Sequence, residues 1–253
     1  MLEEVGDMMI LTGKTIMSAL RPPYPYGGEF VNQFLFALKL CWFPLVVSTV
    51  AFGYGAPGLQ AANFLNLFGS IDRLGGFFVL ASIREFAPFV TAIVLAGVAG
   101  TAITADLGAR KIREELDALQ VLGVDPVKNL VVPRFLALML VTGLLDIYAL
   151  IFGIFGGVLA EIVYHQNLAG FWASFFSNAS VTDLWGSVVK TTMFGAIIAI
   201  VCCYKGMTAS GGAAGVGRAV NEAVVIAFAG IWAFNYVFTQ TLLATHPEIL
   251  VIR

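Results

Sequence analysis

The chain has 253 residues, of which 59% are hydrophobic and only 12% are charged. Soluble domains carry about 25% charged residues, so this composition, with a mean hydropathy of +0.88, excludes a soluble globular domain and predicts an integral membrane protein. The net charge of -2 provides no basic surface of the kind that binds nucleic acid.

Residues that carry metal, redox or nucleotide chemistry are scarce in this sequence. The three cysteines lie inside apolar runs, where free cysteines are usually small buried residues rather than metal ligands or disulfide partners. The two histidines are far apart, which disfavours a haem or multi-histidine metal site. The glycine-rich run 211–218 lacks the Lys-Ser/Thr pair of a P-loop. We therefore predict a protein that is not an enzyme, binds no cofactor or metal itself and does not hydrolyse ATP.

The first 30 residues are predicted to form an interfacial amphipathic helix and a linker. Apolar residues from Val5 to Leu20 recur on one helical face, and Arg21-Pro22-Pro23 ends the pattern. A helix of this kind lies in the headgroup region of a bilayer. Acidic residues stand where a signal peptide needs basic ones, so the segment is not interpreted as a signal peptide.

Five apolar runs make up most of the rest of the chain. Each is long enough, at about 1.5 Å per helical residue, to cross a hydrocarbon core of roughly 30 Å. The sequence therefore predicts an all-α integral membrane protein with one membrane domain over residues 31–253. The predicted spans are about 34–54, 77–105, 129–164, 184–204 and 221–244.

The connections between spans are predicted from helix-breaking residues and polarity. Pro57 and the glycines around it should end the first span, and residues 165–183 and 205–218 should form loops. The third run is longer than one perpendicular crossing requires. It is therefore either tilted, or broken near Pro133 or at Gly153–Gly157.

The most charged run of the sequence, Ala109–Gly123, also carries an apolar stripe. Helical spacing puts Ile112, Leu116, Leu119 and Leu122 on one face of a short amphipathic helix. The glycine that ends the run can close this helix in a left-handed conformation, and the Asp-Pro pair two residues later can open the next one. Such a helix either lies flat on the membrane or inserts into a partner protein, and the spacing alone leaves both open.

Charges inside or at the ends of membrane spans are costly and seldom without function, and we single out five such residues as candidates. The adjacent pair Arg84-Glu85 either snorkels to the surface or forms an interior ion pair at a gate. Asp146 lies in the middle of the third run and should face protein or water. Asp183 and Lys190 lie two turns apart on one helical face, too far for a direct contact.

Small residues cluster in the second predicted span. Gly97 and Gly100 lie among Ala96, Ala99, Ala102 and Ala105. Such a smooth face lets another helix approach closely, so we predict that both glycines serve helix packing.

The distribution of Lys and Arg predicts how the chain is oriented. Basic residues concentrate in the N-terminal segment, in residues 106–134 and in residues 205–218, with few on the opposite side. Five spans put the two ends of the membrane domain on opposite sides. The N-terminus and the charged run are therefore expected in the cytoplasm, and the C-terminus outside the plasma (inner) membrane.

Two stretches, Ile83–Pro88 and Thr91–Phe135, closely resemble the signature block of the MlaE/YrbE permeases. The run Gly215–Val220 and the pair Asp183 and Lys190 match the same family further along. These permeases are the membrane subunits of ABC-type lipid transporters that work with MCE-domain proteins. The resemblance covers nearly the whole chain, and the C-terminal part is most similar to the A-type permease of actinobacterial (mycobacterial) Mce systems.

The resemblance implies roles for these residues in the movement of lipids or fatty acids. Ala109–Gly123 would be the coupling helix that docks on a separate cytoplasmic P-loop ATPase, which binds the ATP and magnesium. The family works as a dimer of permeases, with lipid in an apolar pocket between them and an MCE assembly on the outer side. The implied coupling residues are Arg110, Arg113, Glu114, Glu115, Asp117, Leu119 and Leu122, and the implied path or gating residues are Arg84, Glu85, Asp146, Asp183 and Lys190.

The sequence departs from the family pattern at three charged positions. Val98 and Glu222 stand where arginine is common, and Asp146 lies about one turn before the usual acidic residue of the third span. These departures fit a heterodimer in which a related second permease supplies the missing charges. A competing interpretation is an ion-coupled secondary transporter that uses the intramembrane charges. The lack of a clear internal repeat and the small number of such charges disfavour it.

Overall fold

A computed structural model describes residues 2–164 and 167–247 of the chain, and every regular element in these residues is helical. Five helical segments are long and apolar enough to cross a membrane, which confirms the predicted all-α membrane fold with five spans. These segments are Gly27–Leu67, Ile71–Ile112, Val127–Val163, Val181–Met207 and Gly212–Thr245.

The first helix, α1 (Leu2–Leu20), precedes the spans. The first span begins with α2 (Gly27–Gly53), continues through a π-helical stretch, Tyr54–Gln60, and ends with α3 (Ala61–Leu67). The prediction that Pro57 and its neighbouring glycines end the helix is wrong. The chain passes Pro57 in a wider π turn, one of the local adjustments by which membrane helices tolerate proline.

The second span is helical from Ile71 rather than from residue 77, and it continues past residue 105. It contains two π-helical stretches, Val79–Phe86 and Ala96–Gly100. The α-helices of this span are α4 (Leu74–Phe78), α5 (Ala87–Leu95) and α6 (Thr101–Ile112).

The predicted single helix Ala109–Gly123 is wrong, because the chain turns at Glu114. This residue has a left-handed backbone with φ of 59°, and it separates α6 from the seven-residue helix α7 (Glu115–Val121). The predicted ends of the run are confirmed. Gly123 has a φ of 75°, and the Asp125 carboxylate accepts a hydrogen bond of 2.9 Å from the Val127 amide.

The third span starts with a π-helical stretch, Val127–Val131, and continues as α8 (Val132–Val163) without a break at its central glycines. The predicted loop over residues 165–183 is wrong where the structure describes it. Helix α9 (Leu168–Asn178) occupies most of it, with the Asn167 side chain capping its first turn. Residues 165 and 166 lie outside the described part.

The last two spans are α10 (Val181–Met207) and α11 (Gly212–Thr245). The glycine-rich loop predicted over residues 205–218 is therefore wrong in its bounds, since only residues 208–211 connect the helices. Gly211, with φ of 87°, makes this turn possible. Lys205 and Arg218 consequently belong to helices and not to a loop.

The chain forms two compact units, each assembled from three separate stretches. Unit 1 comprises Met1–Cys41, Ala92–Thr142 and Thr192–Ala233, and unit 2 comprises Trp42–Thr91, Gly143–Thr191 and Phe234–Arg253. The predicted division into residues 1–30 and 31–253 stays a prediction.

Close helix packing holds unit 2 together. A Cβ atom on Gly156 of α8 would lie 2.6 Å from the Val50 carbonyl oxygen of α2, so only glycine allows this approach. The ring of Phe78 in α4 lies over Gly157 and contacts Phe171 of α9, with ring centroids 5.8 Å apart. These contacts join α2, α4, α8 and α9 within unit 2.

Candidate functional site

Four of the five charged residues predicted for the transport path meet inside unit 2. The Arg84 Nε and Asp183 Oδ1 atoms are 2.6 Å apart, and the Asp183 side chain has no exposed surface. Lys190 Nζ lies 3.4 Å from Glu85 Oε1 and also donates to the Arg84 backbone carbonyl. Each of the residues Asp183 and Lys190 thus neutralises one member of the Arg84-Glu85 pair. We call these four residues the charge cluster.

The local backbone explains how two adjacent residues reach different partners. Arg84 and Glu85 lie in the π-helical stretch Val79–Phe86, whose wider turn is a common feature of functional sites in membrane and soluble helices. Asp183 is held at the start of α10 by Ser180, whose amide and hydroxyl donate to Asp183 Oδ2 at 3.0 and 2.8 Å. The cluster is therefore built on fixed elements.

Helix α11 contributes two polar side chains that sequence reasoning missed. Asn235 Nδ2 donates to Glu85 Oε2 at 2.9 Å, and Thr239 Oγ1 donates to Glu85 Oε1 at 3.0 Å. The two residues are four apart and so share one helical face. An asparagine followed at i+4 by a threonine in an apolar span is the sequence signal that could have identified them.

Asp146 lies in unit 2 but does not touch the charge cluster directly. It is fully buried, and its Oδ2 accepts a hydrogen bond of 2.7 Å from Ser187 Oγ. Its Oδ1 has no hydrogen-bond partner in the described part of the chain. Ser187 lies one turn before Lys190 on α10, so Asp146 is linked to the cluster through that helix.

The charge cluster is closed in this conformation. The cavity lined by its four residues, with Ser187 and Thr239 among the others, has a volume of only about 20 Å³. A site of roughly this size holds one water molecule. No lipid headgroup fits among these side chains unless they separate.

The predicted coupling residues lie in unit 1 on both sides of the turn at Glu114. Three partly exposed ion pairs lie there: Arg110 with Asp106 at 3.2 Å, Lys111 with Asp117 at 2.9 Å, and Arg113 with Glu115 at 2.7 Å. The hydrogen bond to Glu115 raises the pKa of the Arg113 guanidinium above its ordinary value.

The predicted continuous apolar stripe on this segment is wrong, because the turn at Glu114 rotates α7 relative to α6. Leu116 is buried, Leu119 is half-buried, and Leu122 is 76% exposed. Val121, which sequence reasoning missed, is 88% exposed. Two large apolar side chains therefore project next to each other from the end of α7.

The comparison with known families covers most of the chain. The sequence model of the family described as permease MlaE matches residues 30–241. The chain belongs to the MlaE permease family. It is a multi-pass membrane permease, and the finer resemblance to the actinobacterial A-type stays a prediction.

Individual relatives of this MlaE-family permease agree with the family match. A probable ABC transporter permease protein of Rickettsia typhi is 32% identical over 241 residues, which are 95% of this chain and 92% of that protein. One of Synechocystis is 37% identical over 179 residues, covering 70% and 68%. The chloroplastic protein trigalactosyldiacylglycerol 1 of Arabidopsis thaliana is 35% identical over 183 residues, covering 72% and 52%.

The permease contains a buried cation in unit 1 that sequence reasoning also missed. The Arg134 side chain of α8 is 1% exposed, and its Nη2 lies 2.7 Å from Asp106 Oδ2 in α6. Its Nη1 donates to the Leu130 carbonyl at 2.9 Å and lies 3.6 Å from Glu29 Oε1 in α2. One guanidinium thus joins three helices of the unit, which is a structural role.

The unusual Glu222 of this permease has a partner in unit 1. Lys205 Nζ lies 2.8 Å from Glu222 Oε2 and 2.8 Å from Glu4 Oε1. Lys205 thereby joins α1, α10 and α11, and its hydrogen bond lowers the pKa of the Glu4 carboxyl. A carboxylate at position 222 is compatible with Lys205 in a way that an arginine is not.

The two predicted packing glycines of the permease differ in their surroundings. A Cβ atom on Gly100 would lie 2.9 Å from Cys202 Sγ and 3.2 Å from Ile198 Cγ2, so α10 packs closely on this residue. A Cβ atom on Gly97 would meet nothing within 4 Å. Of these two glycines, Gly100 therefore packs closely against another described helix of unit 1 and Gly97 does not.

Proposed function

We propose that this chain is the non-catalytic membrane subunit of an ATP-driven lipid transporter in the inner membrane. It would move lipids or fatty acids between that membrane and a channel of MCE-domain proteins across the cell envelope. The observation that carries the proposal is the match to the MlaE permease family over residues 30–241. The relatives named ABC transporter permeases, and the one named after trigalactosyldiacylglycerol, support it.

A separate cytoplasmic ATPase would dock on the segment around α7 and bind the ATP and magnesium. The exposure of Val121 and Leu122 supports this role, because water-exposed apolar side chains next to each other gain from burial in a partner. Each buried side chain would contribute roughly 1.5–3 kcal/mol before the costs of association. The charged residues Arg110, Arg113, Glu114, Glu115 and Asp117 would then surround this apolar contact and fix its orientation.

The charge bias of the connections supports an orientation with the α7 segment in the cytoplasm. Because spans alternate, the connection at residues 208–211 shares that side, while residues 168–180 lie outside. The C-terminus would also lie outside. In this orientation the MCE-domain proteins approach from the side of α9, and the ATPase from the side of α7.

The charge cluster would act as a gate on the lipid path. Its closed cavity of about 20 Å³ supports this role, because a lipid can pass only if Arg84, Glu85, Asp183 and Lys190 exchange partners. ATP binding in the partner would favour one arrangement and hydrolysis the other. Asp146 would influence the gate through Ser187. A second permease chain, related or identical, would pack on this one and complete the lipid pocket.

The first experiment is affinity purification of the tagged full chain in mild detergent, with mass spectrometry of the co-purifying proteins. We expect a P-loop ATPase, a permease and MCE-domain proteins. The double variant Val121→Asp/Leu122→Asp should lose the ATPase and keep the rest. The matched control Leu67→Asp, at a side chain that is 82% exposed at the end of α3, should keep the ATPase.

A specific observation favours one alternative, an ion-coupled transporter. Asp146 is a fully buried carboxyl with one oxygen that lacks a partner in the described part of the chain, as a proton carrier in a membrane would be. In proteoliposomes that contain only this chain, transport driven by a proton gradient would establish that alternative. Transport that requires the ATPase and ATP, and ignores the gradient, would exclude it.

A further inference from the structure

A groove of about 720 Å³ lies in unit 1 between α1 and the segment that follows α7. One wall comes from Lys14 and Met17 in the second half of α1 and from Arg21 directly after it. The other comes from α7 and residues 123–127. The Lys128 ammonium donates a hydrogen bond of 3.2 Å to the Arg21 carbonyl, which holds the two walls at this separation. The groove is thus formed entirely by residues of unit 1, and a hydrogen bond between its walls stabilises its shape.

The groove carries positive charge that its own residues do not neutralise. Lys14 and Arg21 are exposed, and neither forms an ion pair within residues 2–164 and 167–247. Of the two acidic lining residues, Asp117 forms an ion pair of 2.9 Å with Lys111, whereas Asp125 accepts a hydrogen bond from the Val127 amide and keeps its negative charge. The lining thus carries three cations and two carboxylates, which leaves it with a net positive charge. Lys14 and Arg21 are the cations available to an anionic ligand.

The rest of the lining is apolar, which suits a ligand with both a charged and a hydrophobic part. Met17, Leu116, Val124 and Met207 contribute carbon surface beside the two cations. A small water-soluble anion would gain no binding energy from contact with this apolar surface. A phosphate group with hydrocarbon attached to it would occupy both parts.

The position of α1 brings such a ligand to the groove. Met8, Leu11 and Thr15 face the interior of unit 1, while the opposite side of the helix exposes large apolar side chains to the surroundings. A helix with this pattern beside membrane spans lies in the interfacial region, where phospholipid headgroups are concentrated. The exposed apolar residues are Val5, Met9, Ile10, Ile16, Met17 and Leu20.

We infer that this groove is a binding site for the headgroup of an anionic phospholipid, with the phosphate held by Lys14 and Arg21 and the start of an acyl chain against Met17. The bound lipid would connect α1 to the residues that follow α7. This site is distinct from the charge cluster, all of whose residues lie in unit 2. The placement of α1 in the headgroup region assumes that the five spans cross a bilayer, but the site does not depend on the proposed transport function.

The test is lipid binding by the purified, delipidated full chain, measured by native mass spectrometry during titration with phosphatidylglycerol. We expect saturable binding that Lys14→Gln and Arg21→Gln each weaken by about fivefold, and the double variant by about 25-fold, as loss of one and two phosphate contacts predicts. The matched control Arg218→Gln removes an exposed cation from the start of α11 and should change nothing. The charge-preserving Lys14→Arg should also bind normally.

Specific outcomes would overturn the inference. Equal binding of phosphatidylcholine, or equal binding of phosphatidylglycerol by the double variant, would show that the groove does not select an anionic lipid. Competition by millimolar inorganic phosphate or glycerol phosphate as strong as by the lipid would identify a free phosphate ligand instead. Unchanged lipid binding together with loss of a co-purifying protein from the double variant would identify a protein-docking surface. A photoactivatable phosphatidylglycerol that crosslinks to the peptide containing Met17 would support the site, and crosslinks confined to other segments would refute it.

Discussion

Arg84 and Asp183, which are 99 positions apart in the sequence, form an ion pair of 2.6 Å inside unit 2. The Asp183 side chain is fully buried and Arg84 is 14% exposed, so water does little to screen the pair. The pair also connects the second span to the fourth, since Arg84 lies in the π-helical stretch before α5 and Asp183 in the first turn of α10.

We therefore expect Arg84→Met to destabilise the protein by about 3–5 kcal/mol, because it leaves a buried carboxylate without its counter-ion. Thermal unfolding in detergent would measure this loss. The double variant Arg84→Met/Asp183→Leu should recover part of it, since no charge then remains unpaired. Arg113→Met, which removes an exposed ion pair, is the control and should have a much smaller effect because solvent screens that pair. Equal stability of the wild type and Arg84→Met would show that the pair does not form.

A second prediction concerns the gate and the charge of Glu85. Glu85→Gln removes the counter-ion of Lys190 and leaves one acceptor oxygen where Asn235 and Thr239 now donate to two, so it also costs one hydrogen bond. If exchange of ion pairs opens the path, lipid transport by the reconstituted transporter should fall strongly while ATPase docking persists. Thr239→Val removes one hydrogen bond without changing any charge and should retain most of the transport. Full transport by Glu85→Gln would contradict the gate and leave Glu85 with a packing role.

The sequence was sufficient to predict five spans and the charged residues of the site, because apolar length and rare intramembrane charges are properties of local sequence. It did not predict that Asp183 and Lys190 neutralise Arg84 and Glu85, since this pairing depends on how distant helices pack. The Asn235 partner of Glu85 was missed for the same reason. An uncharged polar residue in an apolar span is a much weaker sign of a functional site than a charged one.

The helix boundaries were harder to predict, for identifiable physical reasons. Pro57 breaks helices in water, but in a membrane the chain changes to a π turn, because unpaired backbone groups cost more there. At Glu114 the opposite error occurs, because a continuous helix was predicted where the chain turns. The periodicity around it indicates one helix, yet the chain adopts a left-handed turn that non-glycine residues rarely adopt. Tertiary contacts, such as the burial of Leu116, override this local preference.

The left-handed backbone of Glu114 provides a third prediction. Glu114→Gly should stabilise the isolated permease by up to about 1 kcal/mol, because glycine adopts a φ of 59° without steric strain. Glu114→Val should destabilise it, because a β-branched residue is strained at this φ. Thermal unfolding of the three proteins distinguishes the cases. Glu114→Asn tolerates the same backbone without the carboxylate, so weaker ATPase binding by this variant would show that the proposed docking uses the charge.

A fourth prediction compares the two glycines of the second span. Gly100→Ala should cost about 1–3 kcal/mol, because its Cβ would meet Cys202 and Ile198. Gly97→Ala should leave the isolated chain unchanged or stabilise it by about 0.5–1 kcal/mol, because its Cβ meets open space. Unfolding measurements on the two variants give the comparison. Equal destabilisation by both would contradict the different surroundings of these residues.

Because Gly97 has open space around it in the isolated chain, a substitution there can also test the proposed permease dimer. If a second permease packs on this face, Gly97→Leu should leave the stability of the isolated chain unchanged but dissociate the dimer. Size-exclusion chromatography with light scattering would detect this change. A dimer that persists in Gly97→Leu would place the contact on another face.

A fifth prediction concerns the attachment of α1 to the rest of unit 1. Lys205 lowers the pKa of Glu4 from its ordinary value of 4.5, so folding favours the ionised carboxylate. The interaction is therefore fully present above pH 4.5 and is lost as the pH falls through the lowered value. The protection factors of the α1 amides in detergent, which are corrected for the intrinsic exchange rate at each pH, should be high at neutral pH and fall in acid. In Glu4→Gln they should already be lower at neutral pH and depend less on pH, whereas Glu3→Gln should behave like the wild type. Exchange in α1 that is identical in the wild type and Glu4→Gln across this range would show that Lys205 does not hold the helix.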